Sequence, residues 1–272
     1  MRIALTGATG LVGRFLLRAF LAEGHQVETL PGWRLGRPAP LDGCAALVHA
    51  AFAHVPGRYR GGEGDDPDGF VALNRDGSLH LFRQARAAGV AQVVFLSSRA
   101  VYDGLPSGTP LPDGTPVAPA SLYGRVKAEA EAGLAALDGD GFATASIRAT
   151  GIYGPGKDHK WTGLFADYLA GRPVAPRVAT ELHGDDLARA VLLLLGGMAR
   201  GAFNASDLLL DRRDLLAEVQ RLTGCGRLLP ARARTPVSAM GCARLTALGW
   251  RPGGWPLLRA SLSSMLSPAD GG

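Results

Sequence analysis

The sequence contains little cysteine. Cys44, Cys225 and Cys242 are odd in number, far apart and without the spacing of metal ligands. They therefore predict neither a disulfide framework nor a metal site. Unpaired thiols of this kind are typical of a reducing compartment, so we expect a cytoplasmic protein.

Long apolar runs are also lacking. The run at residues 191–195 is far shorter than the roughly 20 residues that span a membrane. Residues 2–5 lead directly into Thr6 and Gly7, which leaves no room for a signal peptide. We expect no membrane partner.

No part of the chain combines dense basic residues with interleaved aromatic ones, although the formal net charge is +5. The arginines are scattered, and the densest basic group, at 58–60, is followed at once by an acidic run at 63–68. This pattern argues against nucleic acid as a partner. It favours a basic surface and a small-molecule substrate, which could be anionic.

Short strand-like runs alternate with helical patterns over the 272 residues. Strands are predicted at 2–6, 26–30, 46–50, 92–97 and 144–148, and helices after Gly13 and at 70–88, 123–137, 185–195 and 213–222. The alternation predicts an α/β protein with a Rossmann-type, doubly wound parallel sheet. Segments 103–120 and 153–177 are rich in Gly and Pro, so we expect long loops or a small lobe there.

Three glycines follow the first strand and open the first helix. Gly7 suits a tight turn, Gly10 lets the backbone approach a pyrophosphate, and Gly13 lets the helix pack closely on the strand. This context predicts a dinucleotide site. The expected contacts are Gly7, Thr9, Gly10, Leu11, Val12 and Gly13.

The acidic residue that usually holds the ribose 2′-hydroxyl, about 20 residues further on, is missing here. The predicted second strand ends at Leu30 and is followed by Pro31 and Gly32, so no carboxylate is there. Arg34, with Arg37 as second choice, could instead meet a 2′-phosphate, which favours NADP over NAD. A solvated loop arginine is the alternative interpretation.

Lysine is as rare as cysteine: of the 29 basic residues only Lys127, Lys157 and Lys160 are lysines. Tyr123 precedes Lys127 by four residues, so the two lie on one face of a helix, one turn apart. A phenol has a pKa of about 10 and is a poor base at neutral pH, but a nearby ammonium favours the phenolate. The pair is therefore a candidate proton-transfer site, although an ordinary surface pair has the same spacing.

Seven motifs together resemble an extended short-chain dehydrogenase/reductase of the NAD-dependent epimerase/dehydratase group. They are TGATGLVG at 6–13, LVHAA at 47–51, NRDG at 74–77, SSRAVY at 97–102, YGRVK at 123–127, RATGIYGPG at 148–156 and HGDDLA at 183–188. They occur in the family's order and cover nearly the whole chain. The resemblance implies a dinucleotide-binding core over 1–152, to which later segments return, and a mainly substrate-binding C-terminal lobe over 153–272.

The resemblance also implies the site residues. Ser98 aligns with the catalytic serine, Tyr123 with the base and Lys127 with its activator. Ser98 would hydrogen-bond the substrate oxygen, although a capping serine is the alternative and Ser97 could act in its place. Family positions that line the cofactor fall on Ala50, Ala51 and Asn74.

Two departures from the family pattern bear on the substrate. Arg99 and Ala100 stand where dehydratases carry an Asp-Glu pair, so dehydration is disfavoured. Gly151 stands where many nucleotide-sugar enzymes have an asparagine that binds diphosphate. A free sugar acid, aldehyde or ketone is therefore a candidate. Lys157, Lys160 or His159 could contact a substrate anion, and a solvated basic loop is the alternative.

These patterns lead us to expect reversible NAD(P)-dependent hydride transfer at a hydroxyl or carbonyl carbon. A nucleotide-sugar epimerase that retains NAD is the alternative enzyme. A dinucleotide-binding sensor or scaffold without turnover is the alternative from another class. The family also suggests a homodimer.

Overall fold

A six-stranded parallel sheet forms the centre of the computed structural model, which describes residues 1–55, 62–156 and 159–266. Its strands, in chain order, are β1 (Arg2–Thr6), β2 (Gln26–Glu28), β3 (Ala46–His49), β4 (Gln92–Ser98), β5 (Ala143–Ala149) and β8 (Gly201–Ala205). The spatial order is β2-β1-β3-β4-β5-β8. The order reverses at β1, where an open α/β sheet usually binds its ligand.

Helices cover both faces of this sheet because its strands are apolar on both sides. Ile3 and Leu5 pack on one face with α1 (Leu11–Ala22) and α6 (Gly184–Gly196). Ala4 and Leu47 pack on the other face with α3 (Gly77–Ala87) and α4 (Leu122–Ala135). The predicted doubly wound sheet is confirmed.

A smaller lobe is built on the second sheet, of order β6-β7-β9. Its strands are β6 (Gly151–Tyr153), β7 (Val178–His183) and β9 (Leu208–Asp211), and β7 and β9 are antiparallel. The helices α5 (Thr162–Leu169), α7 (Arg212–Thr223) and α9 (Gly254–Leu266) pack on a core of their own. A short helix, α8 (Ala243–Ala247), lies against β8.

The predicted helix at 70–88 is not one regular helix. It consists of α2 (Pro67–Val71), a π-helical turn (Ala72–Asp76) and α3. Within the wide turn, the side-chain amide of Asn74 donates to the carbonyl of Phe70 at 3.0 Å. An extra residue in a helical turn cannot be inferred from apolar spacing, so the sequence pattern missed it.

One further predicted boundary was wrong. The second strand ends at Glu28 rather than at residue 30, because Leu30 adopts a positive φ of 51° that no strand residue has. Segment 153–177, predicted as a loop or lobe, contains the regular helix α5. None of the helices among the described residues is long and apolar enough to cross a membrane.

Candidate active site

The glycine turn between β1 and α1 has the geometry that a pyrophosphate requires. Gly7 has a φ of 71°, and a Cβ there would lie 2.7 Å from the amide nitrogen of Ala51. A Cβ on Gly13 would overlap the carbonyl oxygen of Gly7. Gly10 caps α1 without a side-chain hydrogen bond, so no side chain occupies the helix N-terminus. The first-turn amides fit an anionic phosphate group.

Thr6 links the glycine turn to the end of β3. Its hydroxyl oxygen accepts hydrogen bonds from the amides of Ala50 and Ala51, both at 3.1 Å. The hydroxyl proton is then directed to Nδ1 of His49 at 2.7 Å. The two alanines that are expected to line the cofactor therefore lie directly beside the glycine turn.

His49 is fully buried and serves this framework. Its Nε2 is 2.9 Å from the hydroxyl of Ser78, which donates to the carbonyl of Asn74 at 2.6 Å. Burial, together with the charge of Lys127, lowers the pKa of His49 to about 3. The imidazole is thus neutral at physiological pH, with Nδ1 as acceptor and Nε2 as donor.

Asn74 fixes the segment that follows β3. Its Oδ1 accepts from the amide of Ala53 at 2.7 Å, and its Nδ2 donates to the carbonyl of Ala53 at 2.8 Å. The side chain is 2% exposed. Asn74 therefore shapes the wall next to Ala50 and Ala51 through the backbone rather than by pointing into open space.

The ammonium of Lys127 is buried beneath the face of α4 that carries Tyr123. Its Nζ donates to the carbonyl of Leu96 at 2.7 Å and lies 4.5 Å and 4.7 Å from the ring centroids of Phe52 and Phe95. Burial lowers the pKa of Lys127 to about 7, against the opposing effect of the Glu131 carboxylate. A lysine held in this way changes charge near physiological pH.

Tyr123 is half-buried and meets Phe52 edge to face, with ring centroids 5.1 Å apart. The start of its helix is fixed by Ser121, whose hydroxyl accepts from the amide of Gly124 at 3.0 Å. A Cβ on Gly124 would collide with the carbonyl oxygen of Ala100. The missing side chain allows α4 to approach the turn that follows Ser98.

Ser98 ends β4, and its neighbour in the sheet is Ala149 at the end of β5. Its hydroxyl oxygen accepts from the amide of Ala100 at 3.1 Å, so the hydroxyl proton is directed elsewhere. The Ser97 hydroxyl is buried and has no hydrogen-bond partner among the described residues. Successive strand residues point to opposite faces, so only one of the two serines can face Tyr123.

A buried polar cluster lies one turn beyond Lys127. The carboxylate of Glu131 accepts from Nε and Nη2 of Arg148 at 3.0 Å and 2.6 Å. Arg148 also donates to the hydroxyl of Tyr102 at 2.6 Å, which donates to Asn204 at 2.9 Å. The cluster ties α4 to β5, β8 and the turn after Ser98. It therefore holds the site's elements in register.

The basic residues that were predicted to contact ligands differ from one another in exposure and in their partners. Arg34 is exposed on the loop after β2, and none of the described ion pairs includes it. Lys160 forms an ion pair with the buried carboxylate of Glu181. His159 is buried, with Nε2 2.8 Å from the carbonyl of Met265. Lys157 lies outside the described residues.

The sequence patterns missed Phe52, Glu131 and Glu181. Phe52 directly follows Ala51 in the segment after β3, and this position could have identified it as a residue near the cofactor. Glu131 continues the four-residue spacing of Tyr123 and Lys127 and could have been found in the same way. Glu181 meets Lys160 only through the tertiary fold, since 20 residues separate them in sequence.

Comparison with known proteins agrees with this geometry. The family model described as NAD dependent epimerase/dehydratase family matches residues 39–205. A ceramide reductase from Caulobacter vibrioides is 31% identical over 256 residues, covering 85% of this chain and 72% of that protein.

Two solved structures show the same architecture. The UDP-glucose 4-epimerase of Thermus thermophilus, solved with NAD, is 25% identical with a TM-score of 0.77, and the alignment covers 99% of this chain and 100% of that one. RMD from Pseudomonas aeruginosa, solved with NADPH, is 23% identical with a TM-score of 0.78, and the alignment covers 98% and 100%. By family match, sequence identity and fold, the chain belongs to the NAD-dependent epimerase/dehydratase family of NAD(P)-binding Rossmann enzymes.

Proposed function

We propose that this enzyme transfers hydride reversibly between a nicotinamide cofactor and a hydroxyl or carbonyl carbon of a small substrate, with Ser98, Tyr123 and Lys127 as catalytic residues. The supporting observation is the buried ammonium of Lys127, held one helical turn from Tyr123 on a carbonyl of the strand that ends at Ser98. Lys127 is only 5% exposed, whereas an ordinary surface lysine is mostly exposed to solvent.

The residues of the glycine turn would hold the cofactor. The amides of Leu11, Val12 and Gly13 would bind the pyrophosphate, and Gly7, Thr9 and Gly10 would line its approach. Ala50, Ala51 and Asn74 would form the neighbouring wall. When bound, the nicotinamide supplies or accepts the hydride.

Each catalytic residue has one task in this proposal. In the reductive direction the Tyr123 hydroxyl gives its proton to the carbonyl oxygen of the substrate, and in oxidation the phenolate takes it back. The positive charge of Lys127 stabilises the phenolate. The Ser98 hydroxyl, whose acceptor side is engaged by Ala100, donates to the substrate oxygen and orients it.

Tyr123→Phe tests this assignment. It removes one oxygen, so we expect turnover to fall by about 100- to 10,000-fold while the Kd for the cofactor stays within about twofold. Tyr168→Phe is the matched control, because Tyr168 lies in the lobe and bonds the carbonyl of Arg227. Unchanged turnover in Tyr123→Phe would remove this residue from the mechanism.

For the cofactor we propose a preference for NADP, supported by Arg34 and by the missing carboxylate after β2. Fluorescence titration with NADPH and NADH measures it directly. We expect Arg34→Ala to weaken NADPH binding about tenfold and to change NADH binding little. We expect Arg37→Ala to leave the binding of both cofactors unchanged. Equal effects on both cofactors would contradict this role for Arg34.

Epimerisation with retained cofactor is the second candidate, because one structural relative is a UDP-glucose 4-epimerase solved with NAD. The two functions differ in a single observable. A dehydrogenase or reductase changes the 340-nm absorbance in proportion to product, whereas an epimerase forms product without a net change. We also propose that the protein is cytoplasmic, because its cysteines are free. The family suggests a homodimer, and sedimentation equilibrium tests this.

A further inference from the structure

A small cavity of about 90 Å³ lies in the lobe, between α5, β7 and the start of α7. Its lining residues are Lys160, Trp161, Leu164, Arg177, Ala179, Glu181, Leu210, Arg212 and Leu215. The lining combines apolar side chains with four charged ones, Lys160, Arg177, Glu181 and Arg212. A volume of this size holds about six water molecules, which is enough for a carboxylate or phosphate with a few carbon atoms.

The charged residues of the cavity carry an excess of positive charge. The amide of Arg212 donates to the carbonyl of Arg177 at 2.9 Å, so these two arginines are neighbours. Burial and the charge of Arg177 lower the pKa of Arg212. The single lining carboxylate, Glu181, is already paired with Lys160. None of the described ion pairs includes Arg177 or Arg212, so an anion between them would relieve their mutual repulsion.

Gly151 connects this cavity to the proposed reaction centre. A Cβ on Gly151 would clash with Nζ of Lys160 and lie 2.7 Å from Oε2 of Glu181, so the ion pair fills the space that a side chain at 151 would take. Gly151 is two residues beyond Ala149, which neighbours Ser98 in the sheet. With about 4.8 Å between strands and about 3.4 Å per residue, the backbones of Ser98 and Gly151 are within about 12 Å.

We propose, resting on the hydride-transfer function above, that this cavity binds a carboxylate or phosphate monoester group of the substrate and that the Lys160–Glu181 pair excludes a nucleoside diphosphate. Arg177 and Arg212 hold the anion, and Trp161 and Leu215 contact the carbon atoms that connect it to the reacting centre. The enzyme thus selects a small anionic substrate, such as a sugar acid or sugar phosphate.

Isothermal titration calorimetry tests this directly, without turnover. The whole chain, saturated with oxidised cofactor, is titrated with D-glucuronate, with glucose 6-phosphate and with UDP. We expect binding of at least one of the two small anions. We expect Arg212→Gln and Arg177→Gln each to weaken it at least tenfold, and Arg172→Gln, in a neighbouring exposed ion pair, to leave it unchanged.

The outcomes separate the alternatives. Binding of glucuronate alone or of glucose 6-phosphate alone identifies the anion. The proposal is overturned if UDP binds more tightly than both, if neither small anion binds, or if the two arginine variants bind as well as the parent. Arg177 is exposed, so its variant remains informative if Arg212→Gln does not fold. If the parent enzyme shows no nicotinamide-dependent turnover with any small anion while anion binding still requires the arginines, the hydride-transfer function fails and the anion site stands.

Discussion

Lys127 and Lys160 are two of only three lysines in the chain, and their ammonium groups lie in opposite kinds of environment. Lys160 is neutralised by direct contact with the carboxylate of Glu181. Lys127 is the more deeply buried of the two, yet its ammonium meets a backbone carbonyl and two aromatic rings, and none of the described ion pairs includes it.

This difference indicates that Lys160 stabilises the fold, whereas Lys127 is placed to take part in proton transfer. A lysine paired with a carboxylate stays protonated, and its pair fixes geometry. A lysine surrounded by rings and a carbonyl can lose its proton near neutral pH and can influence a nearby phenol. Lysine is rare in the sequence, but only the tertiary environment distinguishes the roles of Lys127 and Lys160.

Replacing Lys127 should produce the largest change. Lys127→Met removes the charge with a similar volume, so we expect turnover to fall by about 100- to 10,000-fold because the phenolate is no longer stabilised. The measurement is kcat at saturating substrate and cofactor. Arg125→Met, on the exposed face of the same helix, is the control. If Lys127→Met is as active as Arg125→Met, Lys127 has no role in catalysis and does not differ from Lys160 in this respect.

Replacing Lys160 should affect stability next. Lys160→Met leaves the Glu181 carboxylate buried without its partner, and we expect a loss of about 3 kcal/mol in the free energy of unfolding measured in urea. The double variant with Glu181→Leu should recover most of this loss. Arg172→Met, which breaks an exposed pair, should cost less than about 1 kcal/mol. A double variant as unstable as Lys160→Met would contradict the ion-pair explanation.

The smallest expected effect is a pH dependence. Lys127 has a folded-state pKa of about 7 and an ordinary value of 10.5 when unfolded. Between these values the unfolded chain binds more protons, so the free energy of unfolding of the parent should rise with pH relative to Lys127→Met. We expect about 1 kcal/mol per pH unit from pH 7.5 to 9, measured by urea titration of both proteins. A difference that is flat with pH would show that Lys127 keeps an ordinary pKa.

Much of the fold follows from local sequence. Short apolar runs located five of the six strands of the parallel sheet and missed β8. The three glycines identified the β1–α1 turn because close backbone approach leaves few other choices. Details that depend on an extra residue or a reversed φ, such as the π-helical turn and the early end of β2, leave no periodic signal.

The site was predictable where one element supplies it and unpredictable where several do. Tyr123 and Lys127 lie on one helix, so their spacing reveals their common face. Arg177 and Arg212 meet only after β7 and β9 pair antiparallel, and Glu181 reaches Lys160 across two elements. No spacing rule links residues whose proximity is created by sheet assembly.

The glycine at 124 also bears on how such enzymes diverge. With no side chain there, the distance between the α4 helix and the turn after Ser98 is set by main-chain atoms that every sequence shares. Substitutions elsewhere on the helix can then accumulate without shifting the tyrosine along the sheet edge. The proposed proton-transfer geometry is fixed by backbone contact in this way, so substitutions that change substrate preference can occur without moving Tyr123.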